Sequence, residues 1–194
     1  MTRARRGAAP TAVFLWRRLD EPGHDACGLW RLDTGWRLSG AAAFREAGRP
    51  CHLRYDVLAD RAWRTRRATV SGHVGRRAVD LRIASAGRGR WRLDGALQPA
   101  ISGCVDVDLG FTPATNLLPL RRLALKIGER ADAPAAYLEV PRLRLVVLPQ
   151  TYHRLSRTRY AYASPTAGYA DTLEVSPLGA VIHYPEVFEL VTSG

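Results

Sequence analysis

The 194-residue sequence is long enough for one domain with its own core, and its 46% hydrophobic and 24% charged residues describe a globular chain. Its net charge of +11 is carried by arginine, with Lys126 the sole lysine, and admits nucleic acid, a phospholipid surface or an acidic head group as partner. Three widely spaced cysteines, Cys27, Cys51 and Cys104, exclude a disulfide framework and a CxxC zinc site, so reduced, buried thiols are expected.

At the start, Arg3, Arg5 and Arg6 precede Ala8 to Trp16 in the manner of a signal peptide. Arg17 and Arg18 follow at once, however, and no small-residue cleavage site is visible. No segment approaches the ~20 apolar residues that span a bilayer. The chain is therefore read as cytoplasmic, with residues 1–10 flexible. Strands are expected at 12–18, 26–33 and 36–43, separated by the turns Glu21-Pro22-Gly23 and Asp33-Thr34-Gly35. Cys51, Leu53, Tyr55, Val57 and Ala59 alternate with His52, Arg54 and Asp56, which is a one-sided strand. Another strand is expected at 62–74. Val79, Leu81 and Ile83 then face Trp91 and Leu93 across the glycine-bearing turn Ala84 to Gly89, a hairpin with one apolar and one charged face. Asp80 or Asp94 opposite arginines on the wet face would stabilise that hairpin by ~0.2–1 kcal/mol per pair.

The strand at 104–109 runs into Gly110, and Phe111, Pro113 and Asn116 make a tight, non-repeating turn. Apolar residues resume at Leu117. This is the composition of an ordered crossing rather than a linker, and ordered loops concentrate binding groups. A short helix is expected over Leu117 to Ile127, with Leu117, Leu120, Ala124 and Ile127 on one side and Pro119 in the first turn. Strands at 136–148, 158–163, 171–176 and 179–184 complete a single all-β domain over residues 1–194.

The stretch Asp108 to Leu123 also carries a resemblance. So do Trp16-Arg17-Arg18-Leu19-Asp20, His24-Asp25-Ala26-Cys27 and Tyr55-x-Val57-x-x-Asp60-x-x-Trp63-x-Thr65-Arg66. Later come Gln150-x-Tyr152-x-Arg154, Tyr160-x-Tyr162, Leu173-x-Val175 and Gly179-Ala180-Val181-x-x-Tyr184-Pro185. Together these resemble the bacterial "putative glycolipid-binding" family, an uncharacterised group. The resemblance implies a spiral β-roll related in shape to periplasmic lipoprotein carriers, with at most one or two short helices. The chain departs from the family at Ser176, where an acidic residue is commoner, and at Glu186, where a glycine is commoner.

For function, the aromatic residues matter most. Tyr and Trp join an apolar body to a polar tip, which suits the boundary between an acyl chain and a head group. A bent sheet must fill its concave side with side chains or with a ligand. The expectation is non-catalytic binding of an amphipathic small molecule, a lipid or glycolipid. Trp63, Trp91, Phe111, Tyr160 and Tyr162 would meet its apolar part, and Arg66, Asn116, Tyr152 and Arg154 its head. No cofactor or metal is expected, because His24, His52, His73, His153 and His183 show no ligand spacing. No GxSxG elbow occurs, and Gly87-x-Gly89 precedes a strand rather than a helix. The alternatives are an arginine-rich β-surface for nucleic acid and an enzyme using Asp106 and Asp108, which share a strand face. In the enzyme, one of the two carboxylates would open to a cleft beside a partner such as His153. The protein is expected to be a monomer or homodimer.

Overall fold

The computed structural model describes residues 9–194; of the flexible start expected over residues 1–10, residues 1–8 lie outside them. The chain begins as a meander: β1 (Ala12–Arg18), β2 (Gly23–Leu32), β3 (Gly35–Glu46), β4 (Arg49–Asp60), β5 (Thr65–Val74), β6 (Arg77–Ser85), β7 (Trp91–Leu93) and β8 (Ala96–Leu97), each antiparallel to the next. It then leaves that sheet for β9 (Asp106–Leu109) and a crossing that holds the helix α1 (Leu117–Leu123). Next come β10 (Arg130–Asp132), β11 (Ala135–Glu139), β12 (Arg144–Leu148), β13 (Thr151–Arg154), β14 (Arg159–Ser164), β15 (Tyr169–Val175), β16 (Val181–Tyr184) and β17 (Phe188–Ser193).

Strand β17 pairs with β1, so the two halves form one open 14-stranded sheet in the order β10-β13-β14-β15-β16-β17-β1-β2-β3-β4-β5-β6-β7-β8. A separate sheet, β12-β11-β9, packs on its concave side, with β9 parallel to β11. Val107, Leu109, Ala136, Leu138 and Leu145 of the small sheet join Leu29, Leu53, Val70 and Ile83 of the large one in a single buried cluster. The fold is the spiral β-roll with one short helix that the sequence leads one to expect.

Alternation places the core. Cys51, Leu53, Tyr55, Val57 and Ala59 are all buried along β4, as a one-sided strand requires. Two indoles fasten the sheet internally: Trp16 Nε1 donates to Val181 O at 2.7 Å and Trp91 Nε1 to Cys104 O at 2.9 Å. All three cysteines are free and buried. Burial pushes the Cys104 thiol up to about 11, with Asp106 adding to the effect.

Four expectations need correction. The strand expected from residue 62 starts at Thr65, because Asp60 Oδ1 accepts the N–H of Ala62 (2.9 Å) and of Arg64 (3.0 Å) and holds a turn. The strand expected over 136–148 is the hairpin β11–β12, which turns at Pro141, a residue without a donor for a ladder. The helix stops at Leu123: Ala124 adopts φ +46°, and Ile127 is exposed instead of facing the core. Asp94 supports the β6–β7 hairpin by accepting the Arg82 N–H at 2.8 Å rather than through an arginine side chain. Glu186 has φ +61°, the left-handed region where a glycine is unstrained. Among the described residues no helix is long and apolar enough to cross a membrane.

Candidate functional site

Strand β9 sends Val107 and Leu109 into the core, and so Asp106 and Asp108 face the other way. Asp106, 1% exposed, is gripped by Arg122 of α1, whose Nε and Nη2 reach its two oxygens at 2.7–3.1 Å. Asp108 accepts from Gln150 Nε2 at 2.6 Å and from the Thr115 hydroxyl. Its partners are therefore neutral, and His153 is not among them. Burial pushes Asp108 up to about 6, opposed by those two hydrogen bonds.

The crossing after β9 is tied down on its other side as well. Thr112 Oγ1 accepts the Ala114 N–H (3.0 Å) and donates to Asp25 Oδ2 (2.5 Å), which also accepts from the Tyr55 hydroxyl (2.8 Å). Asp25 Oδ1 is buried and has no partner among the described residues. Burial dominates here too, raising Asp25 to about 6.

The sign of this shift predicts a pH effect. Between the ordinary carboxylate value and about 6, folded Asp25 holds a proton that the unfolded chain has lost, so its contribution to stability falls as pH rises through that window. From Asp25 alone the protein should be more stable at pH ~5 than at pH ~7 by about 1 kcal/mol. Urea unfolding of an Asp25→Asn variant at both pH values should lack that share of the difference. An unchanged difference would refute the assignment.

Between the small sheet and strands β14 to β17 lies a cleft of about 700 Å³. One wall is aliphatic, built by Val146, Val147 and Leu148 of β12 with Val140. The facing wall is a set of tyrosine rings: Tyr162, Tyr169 and Tyr184 lie 4.9–6.0 Å apart, the latter two meeting edge to face. The Tyr169 hydroxyl donates to Pro185 O at 3.0 Å, which fixes its ring against the turn before β17. Asp108, Gly110, Thr112 and Asn116 of the crossing add a polar side, and Tyr137 of β11 completes it. A Cβ at Gly110 would overlap the Tyr137 ring and hydroxyl, so a side chain there would require that ring to move. A hollow of about 630 Å³ at Arg31, Asp33, Trp36 and Arg61 offers a single ring and the charged ends of turns, with no such pairing of walls.

The residues expected to bind fall in four places. Asn116 and Tyr162 line the cleft, and Tyr152 stands directly behind it, accepting from Asn116 Nδ2 at 3.0 Å and packing its ring 5.0 Å from Tyr162. Arg154 and Tyr160 belong to a smaller hollow of about 250 Å³ near the end of α1. There Arg154 donates to the carbonyls of Leu125 (2.6 Å), Ser156 (3.0 Å) and Arg157 (3.3 Å), so it serves as a clamp on the chain. Phe111 is buried between Phe44 and Tyr55, at 5.7 and 5.8 Å. Trp91 fills the core. Trp63 stacks on Trp36 at 4.3 Å, and Arg66 pairs with Asp60 at 2.9 Å on the surface. Tyr137, Tyr169, Ser164 and the β12 side chains are cleft residues that sequence reasoning missed. Only the placement of a second sheet inside the roll reveals them.

Some of the surface arginines are ion-paired. Arg17 pairs with Glu189, Arg37 with Asp56, Arg45 with Glu21, and both Arg142 and Arg144 with Glu139. Among the described residues no three His, Cys, Asp or Glu side chains gather as a metal site.

Fold and cleft together define an all-β spiral roll whose inserted small sheet leaves an aromatic and aliphatic cleft. The chain belongs to the family described as "Putative glycolipid-binding", whose pattern it matches over residues 13–189. It is similar to the crystal structure of a DUF1089 family protein from Pseudomonas aeruginosa, with a TM-score of 0.75 and 29% sequence identity over 97% of each chain. No curated protein matches the sequence.

Proposed function

We propose that the protein binds an amphipathic small molecule, a lipid or glycolipid, in the cleft between β12 and the tyrosines of β14 to β16, without chemistry upon it. The observation that carries this reading is the pairing of a wall of tyrosine rings with an aliphatic wall, beside hydrogen-bonding groups at Asp108 and Asn116. Rings with polar tips accept both a chain and the face of a sugar, and the cleft volume suits a small molecule. The family's description points the same way. Asn116 and Tyr162 contact the ligand in this reading. Tyr137, Tyr169 and Tyr184 join them, and Tyr152 positions Asn116 from behind.

The test uses octyl glucoside as the probe, below its micelle concentration, by isothermal titration. Saturable binding is expected. An Ala167→Trp variant, which fills the exposed rim of the cleft, should weaken it by about tenfold or more with the melting temperature unchanged. No binding to the parent protein, or equal binding to the variant, would overturn the reading.

A further inference from the structure

The charge of the cleft runs against that of the chain. In a protein of net charge +11, the cleft walls carry four carboxylates, Asp20, Glu46, Asp108 and Glu139, against two guanidiniums, Arg18 and Arg144. Both cations are already paired. Arg18 gives Nε and Nη2 to Asp20 (2.9 and 2.6 Å) and Nη1 to Glu46 (3.1 Å). Arg144 gives Nε to Glu139 at 2.6 Å, and Arg142 reaches the same carboxylate from outside the lining. Asp108 is the cleft carboxylate whose hydrogen bonds come from neutral donors, Gln150 and Thr115.

The other polar groups at the cleft can accept as well, its hydroxyls being donors and acceptors alike. Asn116 gives one amide hydrogen to Tyr152, which leaves its oxygen and its second N–H for a ligand. Ser164, 1% exposed in the cleft wall, holds its hydroxyl near the Tyr162 oxygen without reaching hydrogen-bond geometry, and that hydroxyl has no partner among the described residues. Acceptors, ring faces and one unneutralised carboxylate form a single chemical pattern. An ammonium carries three donors and a positive charge, and both a carboxylate and the face of a tyrosine ring attract it. A phosphate or carboxylate head would instead bring a second anion toward Asp108.

We infer that the cleft selects an amphiphile whose head group carries a protonated amine, with the ammonium on Asp108 against the tyrosine wall, over neutral and anionic head groups. This rests on the cleft being the ligand site, and it narrows the ligand class. It also separates the basic surface from the site: the arginines keep the exterior positive, while the interior prefers a cation.

The experiment compares octylammonium, octyl glucoside and octyl phosphate, one chain length with three head charges, by isothermal titration near neutral pH on the full chain. Octylammonium should bind about tenfold or more tightly than octyl glucoside, with octyl phosphate weakest. Asp108→Asn should bring the ratio of the first two to about one. Ala167→Trp should weaken binding of octylammonium by about tenfold or more, as it does that of octyl glucoside. Equal affinities for the three probes, each weakened in Ala167→Trp, would overturn the amine selectivity and leave the cleft as the binding site. Tight octylammonium binding that survives Ala167→Trp would also overturn it. Failure of all three probes to bind would overturn both readings. The parent protein's selectivity decides the matter even if Asp108→Asn does not fold.

Discussion

An Arg122→Ala variant is expected to lose about 3–5 kcal/mol of stability, read as a lowered midpoint in urea unfolding. Asp106 is 1% exposed, and Arg122 is the one cation that meets its two oxygens among the described residues. Truncating the arginine strands a buried carboxylate, which is far costlier than losing an exposed ion pair. Burial already pushes Asp106 upward, with Arg122 opposing it. Without Arg122 the carboxyl rises further and stays protonated to higher pH. The penalty of the variant should therefore shrink as pH falls, because a neutral carboxyl no longer needs the guanidinium. A double variant, Asp106→Leu with Arg122→Met, should regain most of the loss, since apolar replacement of both partners removes the stranded charge. A single-variant loss below about 1 kcal/mol would mean that Asp106 is hydrated or neutral in the native protein.

The same pair shows what the sequence conveys and what it withholds. Period-2 alternation is local, so the inward set on β4 and the shared face of Asp106 and Asp108 could be read directly. The partner of each carboxylate could not: Arg122 lies 16 residues from Asp106 and Gln150 lies 42 from Asp108, and nothing in local spacing joins them. One sequence motif consists largely of structural fastenings. In the segment from Tyr55 to Arg66, Tyr55 holds Asp25, Asp60 holds the turn and the side chain of Arg66, and Thr65 accepts the Val107 N–H at 3.1 Å. Aromatic content correctly signalled a ring-lined interior. It could not divide core rings such as Trp91 from cleft rings such as Tyr184, because both alternate inward. That division depends on where the small sheet stops covering the large one. Tyr137 illustrates the limit, since its place at the cleft follows from the absence of a side chain at Gly110 in the neighbouring strand's turn.

Phe111→Ala is expected to cost about 3–5 kcal/mol, with Phe111→Leu costing under about 1.5 kcal/mol because the volume is nearly kept. Phe111 is buried at the meeting of the crossing with β3 and β4, parallel to Phe44 at 5.7 Å and edge-on to Tyr55 at 5.8 Å. Removing the ring leaves a cavity bounded by strands that cannot close on it without shifting the ladder. It also withdraws the packing that holds Tyr55, whose hydroxyl meets Thr112 (3.2 Å) and Asp25. Gly110 and Thr112 flank Phe111 and line the cleft. Loss of the ring should therefore reach the binding site through the backbone, although Phe111 itself is not a lining residue. In a Phe111→Ala protein kept folded at low temperature, octyl glucoside affinity should fall together with the urea midpoint, and in Phe111→Leu both should recover. A destabilised variant that retained full affinity would show that the crossing and the cleft are mechanically separate. The roll would then hold its ligand through the sheet walls alone.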